Sequence, residues 1–245
     1  MTHPSDQRAP SSGAGQAGPG QNQILAKLPP PELAQITANA KRIFCKIQQV
    51  LFEQGSIIKE VYFPLTGLAS MVVVLSDGTT IEALTIGREG FVGVPLIHDV
   101  PTARYRGVCQ VEGEFLVMDA QVFLGMIGSL SDLRRRLLRY SQYASEVAAQ
   151  SVACNSVHMV EQRCARWLLI TADATGTTDF RITHEFLSQM LAVTRPGVTV
   201  ALQRLVKQGL VETRYGRIRL LDIAGLENVA CECYATVRSK AEELL

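Results

Sequence analysis

Residues 130–171 run without a single glycine or proline. Nothing in such a stretch interrupts an i to i−4 hydrogen-bond ladder, so it forms one long helix or two in succession. Within it Leu133, Leu137, Tyr140, Ala144, Val147, Ser151, Cys154 and His158 recur in alternating steps of four and three, a heptad seam. Arg134, Arg135, Arg136, Arg139, Gln142 and Glu146 fall off that seam, as solvated positions do. Small residues in its second half let two backbones approach closely. The spacing predicts a dimerisation helix over 129–158, with its seam at Leu137, Tyr140, Ala144, Val147, Ser151 and Cys154. Packing of this helix on the chain's own preceding domain is the alternative. A second helix is expected from about residue 160, carrying Trp167, Leu168 and Leu169 into a further core.

The segments on either side differ in period. Residues 1–22 are rich in Pro, Gly, Ser, Ala and Gln and read as a disordered tail. Over 23–128 a short helix at 31–39 precedes strand-length runs at 43–47, 50–52, 61–64, 67–75, 80–86, 104–111 and 113–119, separated by turn residues such as Asp77-Gly78. Many short strands at this spacing predict a sandwich or jelly roll. Residues 159–245 are helical with one hairpin. The fold class is therefore α+β: a β-roll domain, a long helix and a C-terminal helical domain.

The 245 residues, 47% of them hydrophobic, suffice for two cores. Net charge is only +1, yet nine Lys/Arg against five Asp/Glu over 161–221 leave 9 − 5 = +4 there. That local excess suits a phosphate-facing surface. No apolar run approaches the ~18 residues that span a bilayer. No signal peptide is visible, so a cytoplasmic protein with no membrane partner and reduced thiols is expected. The six cysteines are scattered without a CxxC pair, and most read as small buried apolar residues. Cys231 and Cys233, two apart on a C-terminal helix, are expected to point to different sides and to chelate poorly; a redox role for either stays open. No metal cluster, Walker loop or nucleophile–base pair is visible, so no catalytic or metal residue is assigned and an enzyme is not expected.

The stretch ITHEFLSQMLAVTRPGVTVALQRLVKQGLVETRYGRIRLLD carries the function. Thr183 can cap a short helix whose apolar face is Leu187, Met190 and Leu191. Thr194 can cap a second, with Pro196 in its first turn, where a missing N–H costs little. Val198, Ala201, Leu202 and Leu205 form its buried stripe, and Arg195, Pro196, Thr199, Val200 and Gln203 its outer face. This is the spacing of a helix-turn-helix, whose second helix enters the major groove. Arg195 can fork onto guanine O6 and N7, while Arg204 and Lys207 suit backbone phosphates. Next comes a strand–turn–strand wing with Arg214, Arg217 and Arg219 near its tip. Ala192 falls where many such turns use glycine, and a left-handed alanine costs about 1 kcal/mol.

With LFEQGSIIKEVYFPLTG, GREGFVGV and HMVEQRCARWLL upstream, the chain resembles the cyclic-AMP receptor / fumarate-nitrate regulator (CRP/FNR) superfamily of bacterial transcription regulators over about 24–222. The resemblance implies a double-stranded β-helix effector domain, a homodimer along the long helix and a two-fold symmetric operator in double-stranded DNA. RNA polymerase is the further partner if the protein activates. Arg195 matches the family's guanine-reading arginine, whereas Pro196 replaces a common acidic residue. Cyclic-nucleotide members hold the ribose through a Gly-Glu pair and the phosphate through an Arg-Ser/Thr pair. Here Gly93 is followed by Val94 and Pro95, and Arg104 by Tyr105, so cyclic-nucleotide binding is not expected. Nor is an iron–sulfur cluster, because no cysteine precedes Cys45. His98 and His158 are candidate haem ligands or structural histidines. Arg88, Glu89, Arg104 and Arg106 are candidates for an anionic effector pocket or for surface ion pairs. The effector is unidentified. Two readings remain: a dimeric DNA-binding regulator, or an effector-binding module that acts through protein contacts.

Overall fold

The computed structural model describes residues 22–245. Most of the segment read as a tail lies outside the described residues, but Asn22, read with it, is fully buried. Its side chain caps helix α1 (Gln23–Ala26), and its Nδ2 donates to the carbonyls of Pro64 (3.1 Å) and Gly90 (2.9 Å).

Helix α2 (Pro30–Asn39) leads into seven strands: β1 (Lys41–Cys45), β2 (Val50–Phe52), β3 (Glu60–Pro64), β4 (Leu68–Val74), β5 (Thr80–Ile86), β6 (Arg106–Val111) and β7 (Gly113–Asp119). They form two antiparallel sheets, ordered β1-β7-β3 and β2-β6-β4-β5. The β4–β5 hairpin turns where expected, with Gly78 at φ 84° and Asp77 Oδ1 accepting from the Thr79 N–H at 2.9 Å. Aromatic rings fill the roll: the Phe91 centroid lies 5.0 Å from Phe63 and 5.3 Å from Phe123. Phe123 belongs to α3 (Ala120–Ile127), absent from the sequence reading and capped by Asp119.

The long helix is α4 (Ser131–Val157), followed by α5 (Val160–Thr175). Beyond come β8 (Asp179–Arg181), α6 (His184–Met190), α7 (Arg195–Lys207), β9 (Val211–Arg214), β10 (Arg217–Leu220), α8 (Ile223–Val229) and α9 (Cys233–Leu244). The three strands pair in the order β8-β10-β9.

The seam read along α4 faces inward. Leu137, Tyr140, Ala144, Val147 and Cys154 are buried within the single chain, and Ser151 is half-buried. The β-roll covers the start of this stripe, and α9 covers its second half. Arg139 fastens that end of α9, its guanidinium donating to the carbonyls of Glu243 (2.7 Å) and Leu244 (2.8 Å). A heptad spacing marks any apolar stripe on a long helix, whichever surface covers it. The residues named for a dimer seam therefore belong to the chain's own core.

Strand β4, LASMVVV, is apolar on both faces apart from Ser70, because both are covered. Met71 and Ala69 enter the roll, whereas Leu68 and Val72, with Val108 and Val111 of β6, join a second core with Trp167, Phe186 and Met190. The C-terminal domain is thus docked directly on the outer face of the four-stranded sheet. Among the described residues no helix is long and apolar enough to cross a membrane.

Candidate nucleic-acid interface

Thr183 Oγ1 accepts from the Phe186 N–H at 3.1 Å and starts α6. Ala192 then adopts φ 49°, the left-handed conformation its position suggested, which aims the chain into α7. Thr194 Oγ1 accepts from the Gly197 N–H at 3.4 Å, with Pro196 in the first turn. One side of α7 is buried through Val198, Ala201, Leu202 and Leu205. The other presents Arg195, Pro196, Val200 and Gln203 to solvent. Thr199 is half-buried: its hydroxyl lies 3.1 Å from the Arg195 carbonyl and 3.0 Å from His184 Nδ1. His184, which the sequence reading passed over, thus ties α6 to the outer edge of α7.

The wing is a two-residue hairpin with Tyr215 at φ 48° and Gly216 at φ 71°, the twist that suits right-handed strands. Arg214 lies over the Tyr215 ring, 5.3 Å from its centroid. Arg217 and Arg219 both pair with Asp179 of β8, at 2.9 and 3.1 Å. Although desolvation opposes it, hydrogen bonds from these arginines hold the Asp179 carboxyl below its ordinary range. Arg204 pairs with Glu161 at 3.2 Å. Among the described residues Arg195 and Lys207 of α7, Arg214 of the wing and Arg181 of β8 have no such carboxylate partner, so their charges are the ones most readily offered to a polyanion.

The effector candidates are not gathered into one pocket. Glu89 enters a cleft of about 120 Å³ also lined by Thr85, Tyr143, Asp173 and Arg238, which neither Arg88 nor Arg104 lines. Glu89 Oε1 accepts from the Gly87 N–H at 2.8 Å, and burial pushes its carboxyl above the ordinary range. Arg104 is exposed, and Arg106 pairs with Glu53 at 3.1 Å. Val94 stands at the position of the ribose acceptor; Gly93 before it has φ 142°, and a Cβ on Gly93 would meet Phe91 and Val61 at 2.8 Å. The 3₁₀ turn Val94–His98 that follows packs Val94, Leu96 and Ile97 on the core and offers no carboxylate. These residues do not fit a cyclic nucleotide. His98 Nε2 lies 2.7 Å from Ser141 Oγ.

Cys231 and Cys233 depart from expectation. Cys231 lies in the turn after α8 and Cys233 opens α9, so the pair brackets a bend and both thiols reach Cys154 and His158 at the end of α4. Alternation of direction, expected of one continuous helix, does not apply across a turn.

The assembly is that of a winged helix-turn-helix DNA-binding protein whose reading domain is docked on a β-roll sensor domain. Residues 42–129 match the family pattern for a cyclic nucleotide-binding domain, and residues 162–229 that for a Crp-like helix-turn-helix domain. The chain belongs to the CRP/FNR superfamily of transcription regulators. The transcriptional regulator LdrP of Thermus thermophilus is 26% identical over 196 residues, covering 75% of this chain and 93% of that protein. Among solved structures, a CRP-family transcriptional regulator from Thermus thermophilus superposes with a TM-score of 0.64 at 22% identity, covering 78% of this chain and 96% of that one. FixK2 from Bradyrhizobium japonicum gives 0.66 at 16% identity, covering 78% and 98%.

Proposed function

We propose that this transcription regulator works in the cytoplasm as a homodimer on a two-fold symmetric duplex operator, each α7 entering a major groove. The carrying observation is that α7 buries only one side, leaving Arg195, Pro196, Val200 and Gln203 in solvent beside the basic wing. Arg195 reads guanine; Gln203 and Thr199 add groove or phosphate contacts; Thr183, Thr194, Arg214 and Arg217 face the phosphates. For Arg217 a phosphate must compete with Asp179.

The outward side of α4 supports pairing. Leu138, Gln142, Ser145, Ala149, Val152 and Ser156 lie on this side, recur in steps of four and three, and are all exposed. They lie opposite the inward stripe, and most are small enough for close helix approach. The β-roll receives an effector other than a cyclic nucleotide, and the protein acts by binding rather than catalysis. If it activates, RNA polymerase is its further partner.

Salt titration of duplex binding tests the reading. Neutralising several phosphates makes log K fall steeply and linearly with log salt. Flat or absent binding would favour a module that acts through protein contacts.

A further inference from the structure

Cys154 and His158 stand one turn apart at the end of α4, facing Cys231 and Cys233 in the α8–α9 bend. The four potential donor atoms all lie within 4.8 Å of one another. Cys154 Sγ is 3.5 Å from Cys231 Sγ, and Cys233 Sγ is 3.7 Å from His158 Nδ1. A tetrahedral zinc ion with bonds of about 2.0–2.3 Å has ligand–ligand edges of roughly 3.5–3.8 Å. The cluster is one ion wide.

We propose that Cys154, His158, Cys231 and Cys233 hold a single divalent cation of the zinc class in a closed, structural site. Three sulfurs and one imidazole nitrogen are the donor set zinc favours over harder cations. The three cysteines are 0%, 3% and 1% exposed, which leaves no open coordination position for chemistry. Supporting groups are in place as well. His158 Nε2 lies 3.1 Å from the Glu232 carboxylate, which fixes the tautomer that leaves Nδ1 free to ligate. Gln150 Nε2 donates to Cys233 Sγ at 3.0 Å.

The electrostatics agree. Three thiolates around a dication carry one excess negative charge, which needs a neighbouring cation in a buried place. Arg163 and Arg166 are both 6% exposed and lie close enough to interact with the Cys154 sulfur. Among the described residues their Nε atoms lack a hydrogen-bond partner. Arg163 also donates to the Leu191 carbonyl and Arg166 also interacts with the Glu82 carboxylate, so the two guanidinium groups serve the cluster together with these neighbours. Binding would release the thiol protons to solvent.

The position gives the ion a consequence. His158 ends α4 and Met159 caps α5, so the ion would pin the joint between the long helix and the DNA-binding domain to the α8–α9 bend.

The test uses the full chain without a polyhistidine tag, purified under reducing conditions, with metal measured by mass spectrometry. About one zinc per chain is expected, and cobalt exchange should produce tetrahedral and thiolate charge-transfer absorption. Cys231→Ser and Cys233→Ser should lose the metal, whereas His158→Cys should retain it by supplying a fourth sulfur. Cys164→Ser, outside the cluster, should keep full occupancy. Should a serine variant fail to fold, zinc titration of the chelated wild-type chain decides alone. No uptake by the reduced protein, a Cys154–Cys231 disulfide as its resting state, or iron with inorganic sulfide at these residues would each overturn the proposal.

Discussion

Trp167 Nε1 donates to Glu82 Oε1 at 3.2 Å, joining the DNA-binding domain to β5 of the β-roll. The other carboxylate oxygen of Glu82 accepts from Ser70 Oγ at 2.7 Å. Desolvation at this contact pushes the Glu82 carboxyl up to about 7, against the lowering effect of both hydrogen bonds and of Arg166. The docked protein thus holds a proton that the unfolded or undocked chain releases near the ordinary carboxylate value. Stability from this group is fully present below about pH 4.5 and is lost as pH rises through about 7. Glu82→Gln preserves an acceptor for Trp167 and removes the charge. Its Tm should exceed that of the wild type at pH 8, and the difference should shrink by pH 5.5. Parallel melting curves across that range would detach Glu82 from the pH response.

Ala192 holds φ 49° in the turn between α6 and α7. A left-handed alanine costs roughly 1–2 kcal/mol, and glycine returns part of that gain as unfolded-state entropy. Ala192→Gly should therefore stabilise the domain by about 0.5–1 kcal/mol in denaturant unfolding. Operator affinity should stay within about twofold, because the turn shape is already formed. A destabilised glycine variant would mean that the Ala192 side chain contributes packing that outweighs its strain.

The contrast between local and distant structure explains what the sequence disclosed. Thr183, Thr194 and the Tyr215-Gly216 turn are set by interactions within three residues, and each was legible from residue type and spacing. The two-sheet roll was legible for the same reason, since alternation and turn residues are local signals. The inward orientation of Tyr140 and Val147 was not, because it depends on distant segments: Tyr140 packs at Gly90 of the β-roll, some fifty residues earlier, and Val147 beneath α9, about ninety residues further along. The convergence of Cys154 with Cys231 was likewise hidden, as 77 residues separate them and no motif spacing bridges the gap. A Cys-x₃-His pair on one helix and a Cys-x-Cys pair at a helix start were the available signals.

Val152 is 69% exposed in the C-terminal half of the outward stripe of α4, whereas Val147 is 7% exposed beneath α9. Charge at the two sites should act differently. Val152→Glu places like charges across the proposed two-fold contact and should yield a folded monomer by sedimentation, with unchanged helical content. Val147→Glu buries an unpaired carboxylate and should lower stability by several kcal/mol, whatever the oligomeric state. A normally sized dimer from Val152→Glu would move the interface off this face of α4.

Arg195 and Arg214 are both exposed and lack carboxylate partners among the described residues, yet they should fail in different ways. Arg195 leads α7, where a guanidinium can reach a base edge. Arg214 sits at the wing over the Tyr215 ring, where the proposed docking gives it phosphates rather than base edges. Arg195→Ala should cost about 1–3 kcal/mol on the preferred operator and far less on operators altered at the guanine it reads. Arg214→Ala should weaken all duplexes about equally and reduce the salt slope by about one. Competition binding against single-base operator variants, repeated at several salt concentrations, separates the two. An Arg195→Ala protein that keeps its operator ranking would take base reading away from the start of α7, leaving Gln203 as the polar side chain on its outer face to carry it.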